Sequence, residues 1–394
     1  MWHKNRMRIR AALVAVAVVL CCAVGGYAAQ TLPDIDIEAE AAILVDAATG
    51  QVLYEKNGDL QLPPASMAKI MTMLLVMEEI EAGNIQLTDE VKVSARASRI
   101  GGSQVYLKEG EVFTVEELMK AVTIHSANDA SVALAEYVSG AVEAFVDLMN
   151  RRARELGMND TYYDNPDGLP SPAGRPPTLT TPRDLIIVSR ELLKHPKILE
   201  WSTIRMIEFR AEPKTNLYNT NKLIGRYSGL DGLKTGHTEE AGWCLTATAK
   251  RGDTRLISVV MRTNSEEDRQ AQTVRLLDFG FRSFEPVTLA EQGEGVATLK
   301  VANGWPGALE VQAKETFRPL LPRGRVEDVE LRPELDEVRA PLSAGQKVGA
   351  IVAVLDGEEL ARMDVVIAQD VKQANFLIRF FRWIARGVRS LFGR

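Results

Sequence analysis

Leu62-Pro63-Pro64-Ala65-Ser66-Met67-Ala68-Lys69-Ile70-Met71-Thr72 is the stretch on which the fold of this 394-residue chain turns. A serine hydroxyl is a poor nucleophile until a base removes its proton. Residues three apart lie on one face of a helix. A helix starting near Ser66 therefore lets Lys69 reach back to the serine oxygen and, once desolvated, act as its base. Taken alone the tetrad reads as an ordinary helix start. Pro63-Pro64 stop the preceding chain, and Ser66 falls near the cap.

Two more clusters follow downstream, Ser126-Ala127-Asn128 and Lys234-Thr235-Gly236. Ser-x-x-Lys, Ser-x-Asn and Lys-Thr-Gly, in that order, resemble the motif set of the penicillin-binding proteins and serine β-lactamases. Each motif alone is common, but the ordered set is specific.

Composition sets the frame. Hydrophobic residues make up 46% and charged residues 25% of the chain, as in an ordinary globular protein of two or three domains. The net charge of -6 gives no reason to expect a nucleic-acid partner. His3, His125, His195 and His237 show no ligand spacing, so neither a metal nor another cofactor is expected.

Both ends are basic. Lys4, Arg6, Arg8 and Arg10 precede an apolar run from Ala11 to Val24, and Gly26-Tyr27-Ala28 offers a small-x-small cleavage site. Residues 1–28 thus read as a secretory signal. Its removal takes away Cys21 and Cys22 and leaves Cys244, which sits in a strand-like run and reads as a buried structural thiol. At the other end Arg379, Arg382, Arg386 and Arg389 fall at helical spacing. Leu377, Phe380, Phe381, Ile384, Val388, Leu391 and Phe392 gather opposite them. Residues 370–394 thus read as a basic amphipathic helix lying on an anionic membrane surface.

Between the ends, Ala42–Asp46 and Gln51–Tyr54 read as strands joined by a turn. Helices are expected from Ser66 to about Ala82, with Ile70, Leu74, Leu75 and Ile80 on one side. Others are expected over Val115–Thr123, Asp129–Ser139 and Val142–Leu156, from Thr181-Pro182 onward, and over Asp268–Leu277. Tyr227–Gly236, Gly242–Ala249 and Arg255–Met261 read as adjacent antiparallel strands. Strands, then helices, then strands closing the same sheet predict an α/β (α+β) domain over residues 29–285, with helices on an antiparallel sheet. Composition shifts after Phe284-Glu285-Pro286. Residues 286–369 then read as a small all-β domain with Asp356-Gly357 as a hairpin turn.

The whole chain resembles the low-molecular-mass penicillin-binding proteins, specifically the serine-type D-alanyl-D-alanine carboxypeptidases. Tyr54-Glu55-Lys56-Asn57, Asn128-Asp129-Ala130, Thr220-Asn221-Lys222-Leu223 and Leu230 to Thr238 carry the resemblance along with the three motifs. It implies that Ser66 attacks the carbonyl between two D-alanines of a peptidoglycan stem peptide, and that Lys69 takes its proton. It implies that Ser126 relays a proton to the leaving nitrogen with Lys234 close by, and that Asn128 holds substrate and orients Lys69. Backbone N–H groups of Ser66 and His237 would form the oxyanion hole, each such donor contributing roughly 3–4 kcal/mol. Gly236 belongs to the same substrate-lining strand. Arg269, with Thr235, would meet the substrate carboxylate, since a guanidinium fork suits it. β-Lactams would acylate Ser66 as inhibitors.

The sequence departs from the family at Ala127, where glycine is usual. A class A β-lactamase has the same fold, but its deacylating glutamate has no counterpart between Asp167 and Asp184. A non-catalytic peptidoglycan-binding protein would not need the full catalytic set. Secretion across a bacterial cytoplasmic membrane and peripheral attachment to its outer face are the expected location.

Overall fold

A computed structural model of the protein describes residues 35–376 apart from Pro213. The expected signal segment, residues 1–28, and the part of the expected amphipathic helix 370–394 from Leu377 onward lie outside the described residues; before it, Lys372–Gln373 form a strand rather than a helix, because they pair with the second domain. No described helix is long and apolar enough to cross a membrane.

The first domain contains strands β1 (Ala41–Asp46), β2 (Val52–Lys56), β3 (Glu90–Lys92), β4 (Val112–Thr114), β5 (Met206–Arg210), β6 (Thr215–Tyr218), β7 (Leu230–Thr238), β8 (Gly242–Arg251) and β9 (Thr254–Thr263). Five of them form one antiparallel sheet in the order β2-β1-β9-β8-β7, and β3–β4 and β5–β6 are separate hairpins. The helices are α1 (Lys69–Glu81), α2 (Val115–His125), α3 (Asn128–Ser139), α4 (Val142–Leu156), α5 (Pro182–Leu192), α6 (Pro196–Ser202) and α7 (Glu266–Ser283).

The sheet is covered on both faces. Along β1, Ala41, Ile43 and Val45 join the large helical core, while Ala42 and Leu44 join the cluster under α7. This period of two is what a strand's alternating side chains require. Both sets are apolar because both faces are buried. Helix starts follow local chemistry. Thr114 and Glu117 form a reciprocal capping box at α2, and Ser265 accepts from the Asp268 N–H at 3.0 Å at α7. That cap and the acidic first turn start α7 earlier than the expected Asp268.

Two expectations change. Ser66 lies not in an α-helix but in a 3-10 turn, Ala65–Ala68, and α1 begins at Lys69. In addition, α1 is not amphipathic over its first half. Every residue from Lys69 to Met77 is buried, because sheet and helices enclose it all round.

In the second domain come β10 (Phe284–Pro286), β11 (Gly295–Ala302), β12 (Gly304–Trp305), β13 (Ala308–Ala313), β14 (Leu320–Pro322), β15 (Glu330–Leu335), β16 (Val338–Arg339), β17 (Lys347–Leu355), β18 (Glu358–Ile367) and β19 (Lys372–Gln373). Six form a sheet in the order β15-β17-β18-β13-β11-β16. Asp356 and Gly357 both have positive φ (53° and 88°), the two-residue turn that matches strand twist. Leu299, Val311, Ile351, Val365 and Ile367 give this domain its own core. At the junction, Gln51 of the first domain exchanges two buried hydrogen bonds with the Leu320 backbone, at 2.8 and 2.9 Å.

Candidate active site

The turn bearing Ser66 is built from backbone restraints. Ala65 holds a left-handed φ of 47°, a conformation costly for alanine and sustained by its surroundings. Gly168 packs against the Ala65 carbonyl so closely that a Cβ there would fall 1.9 Å from the oxygen. Gly236 of β7 does the same on the other side, where a Cβ would lie 2.5 Å from the Pro64 carbonyl oxygen. The serine is therefore clamped between the 167–168 loop and the edge strand of the sheet. In a 3-10 turn, side chains at i and i+3 eclipse, which draws Ser66 and Lys69 together.

Lys69 is fully buried. Its Nζ donates to Ser66 Oγ at 2.9 Å, Asn128 Oδ1 at 2.7 Å and the Asp167 carbonyl at 2.6 Å. Burial lowers its pKa to about 8, and the charges of Asp167 and Asp129 oppose that shift. Of the three partners, only the serine hydroxyl can itself donate. Two acceptors thus fix two N–H bonds of the neutral amine, and its lone pair is left facing the proton of Ser66. Asn128 cannot reverse this, since its Nδ2 donates to the Gly101 carbonyl at 2.7 Å.

Ser126 and Asn128 arrive on one short link between α2 and α3. Ser126 is buried and ends α2 with a left-handed φ of 66°. Ala127 has φ −61° and ψ 118°, ordinary extended geometry, so this backbone does not require the glycine usual in the resembling family. Asp129, completely buried, accepts from the N–H groups of Val105 (3.1 Å), Leu107 (3.0 Å) and Ala130 (3.0 Å). It holds the strap that supplies Gly101 to Asn128.

On β7, Lys234 is buried and donates to the Thr235 carbonyl at 3.1 Å. Burial, and then the positive charges of Lys69 and Arg269, push its pKa well down. The Thr235 hydroxyl donates to Thr220 Oγ1 at 2.7 Å. His237, exposed, pairs across the ladder with Trp243 and stacks on it at 3.8 Å. Arg269 is 3% exposed, not a solvated helix arginine. Its guanidinium lies over Trp243 at 5.2 Å and meets Glu266 at 3.1 Å, while its Nε has no partner among the described residues. Ser66, Lys69 and Asn128 are thus directly bonded, and Arg269 is linked to His237 through Trp243. Cys244 is buried with its thiol pushed up to about 11, so it is a packing residue.

Residues that carry the site without having been assigned a role from the sequence are Asp129, Asp167, Gly168, Thr220, Trp243 and Glu266. Of these, only Asp129 and Thr220 stood in stretches singled out above, Asn128-Asp129-Ala130 and Thr220-Asn221-Lys222-Leu223. Asp167, Gly168 and Trp243 act on residues distant along the chain, and Glu266 on Arg269 three positions on.

A sequence model of the D-alanyl-D-alanine carboxypeptidase family matches residues 27–265, and one of the penicillin-binding protein 5 C-terminal domain matches residues 284–373. D-alanyl-D-alanine carboxypeptidase DacF of Bacillus subtilis (strain 168) is 41% identical over 344 residues, covering 86% of this chain and 87% of its own. The crystal structure of penicillin-binding protein 5 from Haemophilus influenzae superimposes with a TM-score of 0.78 at 31% identity, covering 87% of this chain and all of that one. Penicillin-binding protein D2 from Listeria monocytogenes, in its ampicillin-bound form, gives 0.58 at 33% identity, over 64% of this chain and 100% of that one. By sequence, by fold and by the length over which both agree, the chain belongs to the D-alanyl-D-alanine carboxypeptidase family.

Proposed function

We propose that this carboxypeptidase removes the terminal D-alanine from peptidoglycan stem peptides through an ester on Ser66. The single observation that carries this reading is Lys69, fully buried and 2.9 Å from Ser66 Oγ, with its other two contacts taken by acceptors. Neutral Lys69 takes the serine proton as Oγ attacks the penultimate D-alanine carbonyl. The resulting oxyanion is held by the backbone N–H groups of Ser66 and His237. When the C–N bond breaks, Ser126, with Lys234 beside it, passes a proton to the leaving D-alanine nitrogen. Water then cleaves the ester. Asn128 keeps Lys69 in orientation, and Arg269 and Thr235 meet the substrate carboxylate. Arg269's burial supports that role, because a carboxylate gains more from a desolvated guanidinium than from one in water.

β-Lactams acylate Ser66 in this reading and leave slowly. The 167–184 loop has no glutamate to activate a deacylating water. The ampicillin-bound Listeria relative supports covalent or tight β-lactam binding. The protein acts outside the cytoplasmic membrane, exported by residues 1–28 and held to the outer face by the basic stretch that ends the sequence.

Mass spectrometry after exposure to penicillin and to a D-Ala-D-Ala pentapeptide tests the reaction. A penicillin adduct on Ser66 and a peptide shorter by one alanine are expected, and both should vanish in Ser66→Ala. Alanine release that survives the substitution overturns the nucleophile. Fast nitrocefin turnover without a stable adduct makes the protein a β-lactamase instead.

A further inference from the structure

Before the chain continues to residue 377, it makes one last ladder. Strand β19 pairs antiparallel with β12, Trp305 opposite Lys372 and Gly304 opposite Gln373. The Ala374 N–H donates to the Asn303 carbonyl at 2.7 Å. Trp305 is 58% exposed, whereas Trp201 is 2% exposed and Trp243 is stacked under His237. Phe376 is 77% exposed.

Residues directly opposite in an antiparallel pair project to the same face, so an exposed indole and an exposed lysine stand side by side. Arg339, also exposed, is paired with Ala302, three residues before Trp305. Asp336 and Glu337, both exposed, are the acidic side chains on that same connection. An indole beside an ammonium group suits the headgroup layer of a bilayer, where the ring's apolar body and its N–H are both accommodated. Within the ladder, the facing backbone groups of β12 and β19 satisfy one another.

Tether length makes the placement specific. Gln373, opposite Gly304, is four residues from Leu377, and four residues span at most roughly 14 Å. The stretch bearing Arg379, Arg382, Arg386 and Arg389 therefore begins within about that distance of the ladder. We propose that the β12–β19 ladder is a second membrane contact, in which Trp305 and Phe376 enter the headgroup layer of an anionic lipid surface with Lys372 beside the indole. This inference rests on the membrane reading of the C-terminal stretch.

The test uses the full chain and vesicles of phosphatidylglycerol, with phosphatidylcholine vesicles for comparison. Cosedimentation of wild type with phosphatidylglycerol is expected. Trp305→Ala should bind about tenfold more weakly, on the order of one lost interfacial aromatic, and Trp305→Phe should retain most of the binding. Subtracting the emission of Trp305→Phe from that of wild type isolates Trp305. That difference should shift to the blue on vesicles and be quenched by brominated lipid. Labelling of Trp305→Ala by fluorescent penicillin at the wild-type rate shows that the fold is intact. If wild type does not sediment, the reading of the C-terminal stretch fails and this inference with it. If wild type sediments but Trp305→Ala binds equally and the difference emission is unshifted, the inference alone is overturned and Trp305 faces a protein partner or water.

Discussion

Lys69 has three oxygen partners, and only Ser66 brings a proton of its own. Acylation needs the amine neutral, and burial places its pKa at about 8. The second-order rate of penicillin acylation should therefore climb tenfold per pH unit below 8 and level off above it, as stopped-flow measurement would show. Asn128→Asp would put a carboxylate where Oδ1 now accepts at 2.7 Å. An opposite charge so near favours the ammonium form, so the rising limb should move up by about 1–3 units. A limb that stays in place would exclude Lys69 as the base. Thr220 belongs to the same scale. Its oxygen accepts from the Thr235 hydroxyl at 2.7 Å, so Thr220→Val should lower kcat/KM for the pentapeptide by about tenfold, the effect of one lost hydrogen bond. Thr220→Ser should restore it. Neither contact could be read locally: Lys69 and Asn128 are 59 positions apart, Thr220 and Thr235 fifteen.

Between elements, the decisive contact is β7 against the Ser66 turn. Gly236 leaves room for the Pro64 carbonyl, and a methyl group there would press on backbone that cannot rotate away. Gly236→Ala should destabilise by about 1–3 kcal/mol in thermal unfolding, as overpacking does. It should slow acylation on the order of 100-fold by displacing Ser66. Unchanged acylation would mean that the strand does not set the nucleophile. Elements with local determinants were legible. Helix α4 runs over the expected Val142–Leu156, with Gly157 ending it at φ 83°. The hairpin at Asp356-Gly357 needed only its two turn residues. The character of α1 was not legible, because burial on all sides depends on partners from α3, α5 and β7. Nor was the site's outer layer, where Trp243 and Arg269 meet from different elements. The three motifs were legible because their chemistry needs fixed residue types at short spacing, although what holds them together lies far along the chain.

At the scale of the molecule, the chain stays bound to the second domain beyond residue 369. Val371 exchanges hydrogen bonds with Leu342, and Lys372 and Gln373 form β19. A chain ended after Phe376 should remain folded, label with penicillin at the full rate and leave the membrane pellet. One ended before Gln373 loses half of β19, and its second domain should melt at a lower temperature by calorimetry. A pellet that retains the chain ended after Phe376 would place the anchor elsewhere. Gln51 also matters at this scale. Its side-chain amide offers one donor and one acceptor to the Leu320 backbone, as a neighbouring strand would. The two domains are thus keyed at this point by a counterfeit peptide bond. If the second domain stands on a membrane, that junction sets the height at which Ser66 meets the wall, and stem peptides above or below that level would keep their terminal D-alanine.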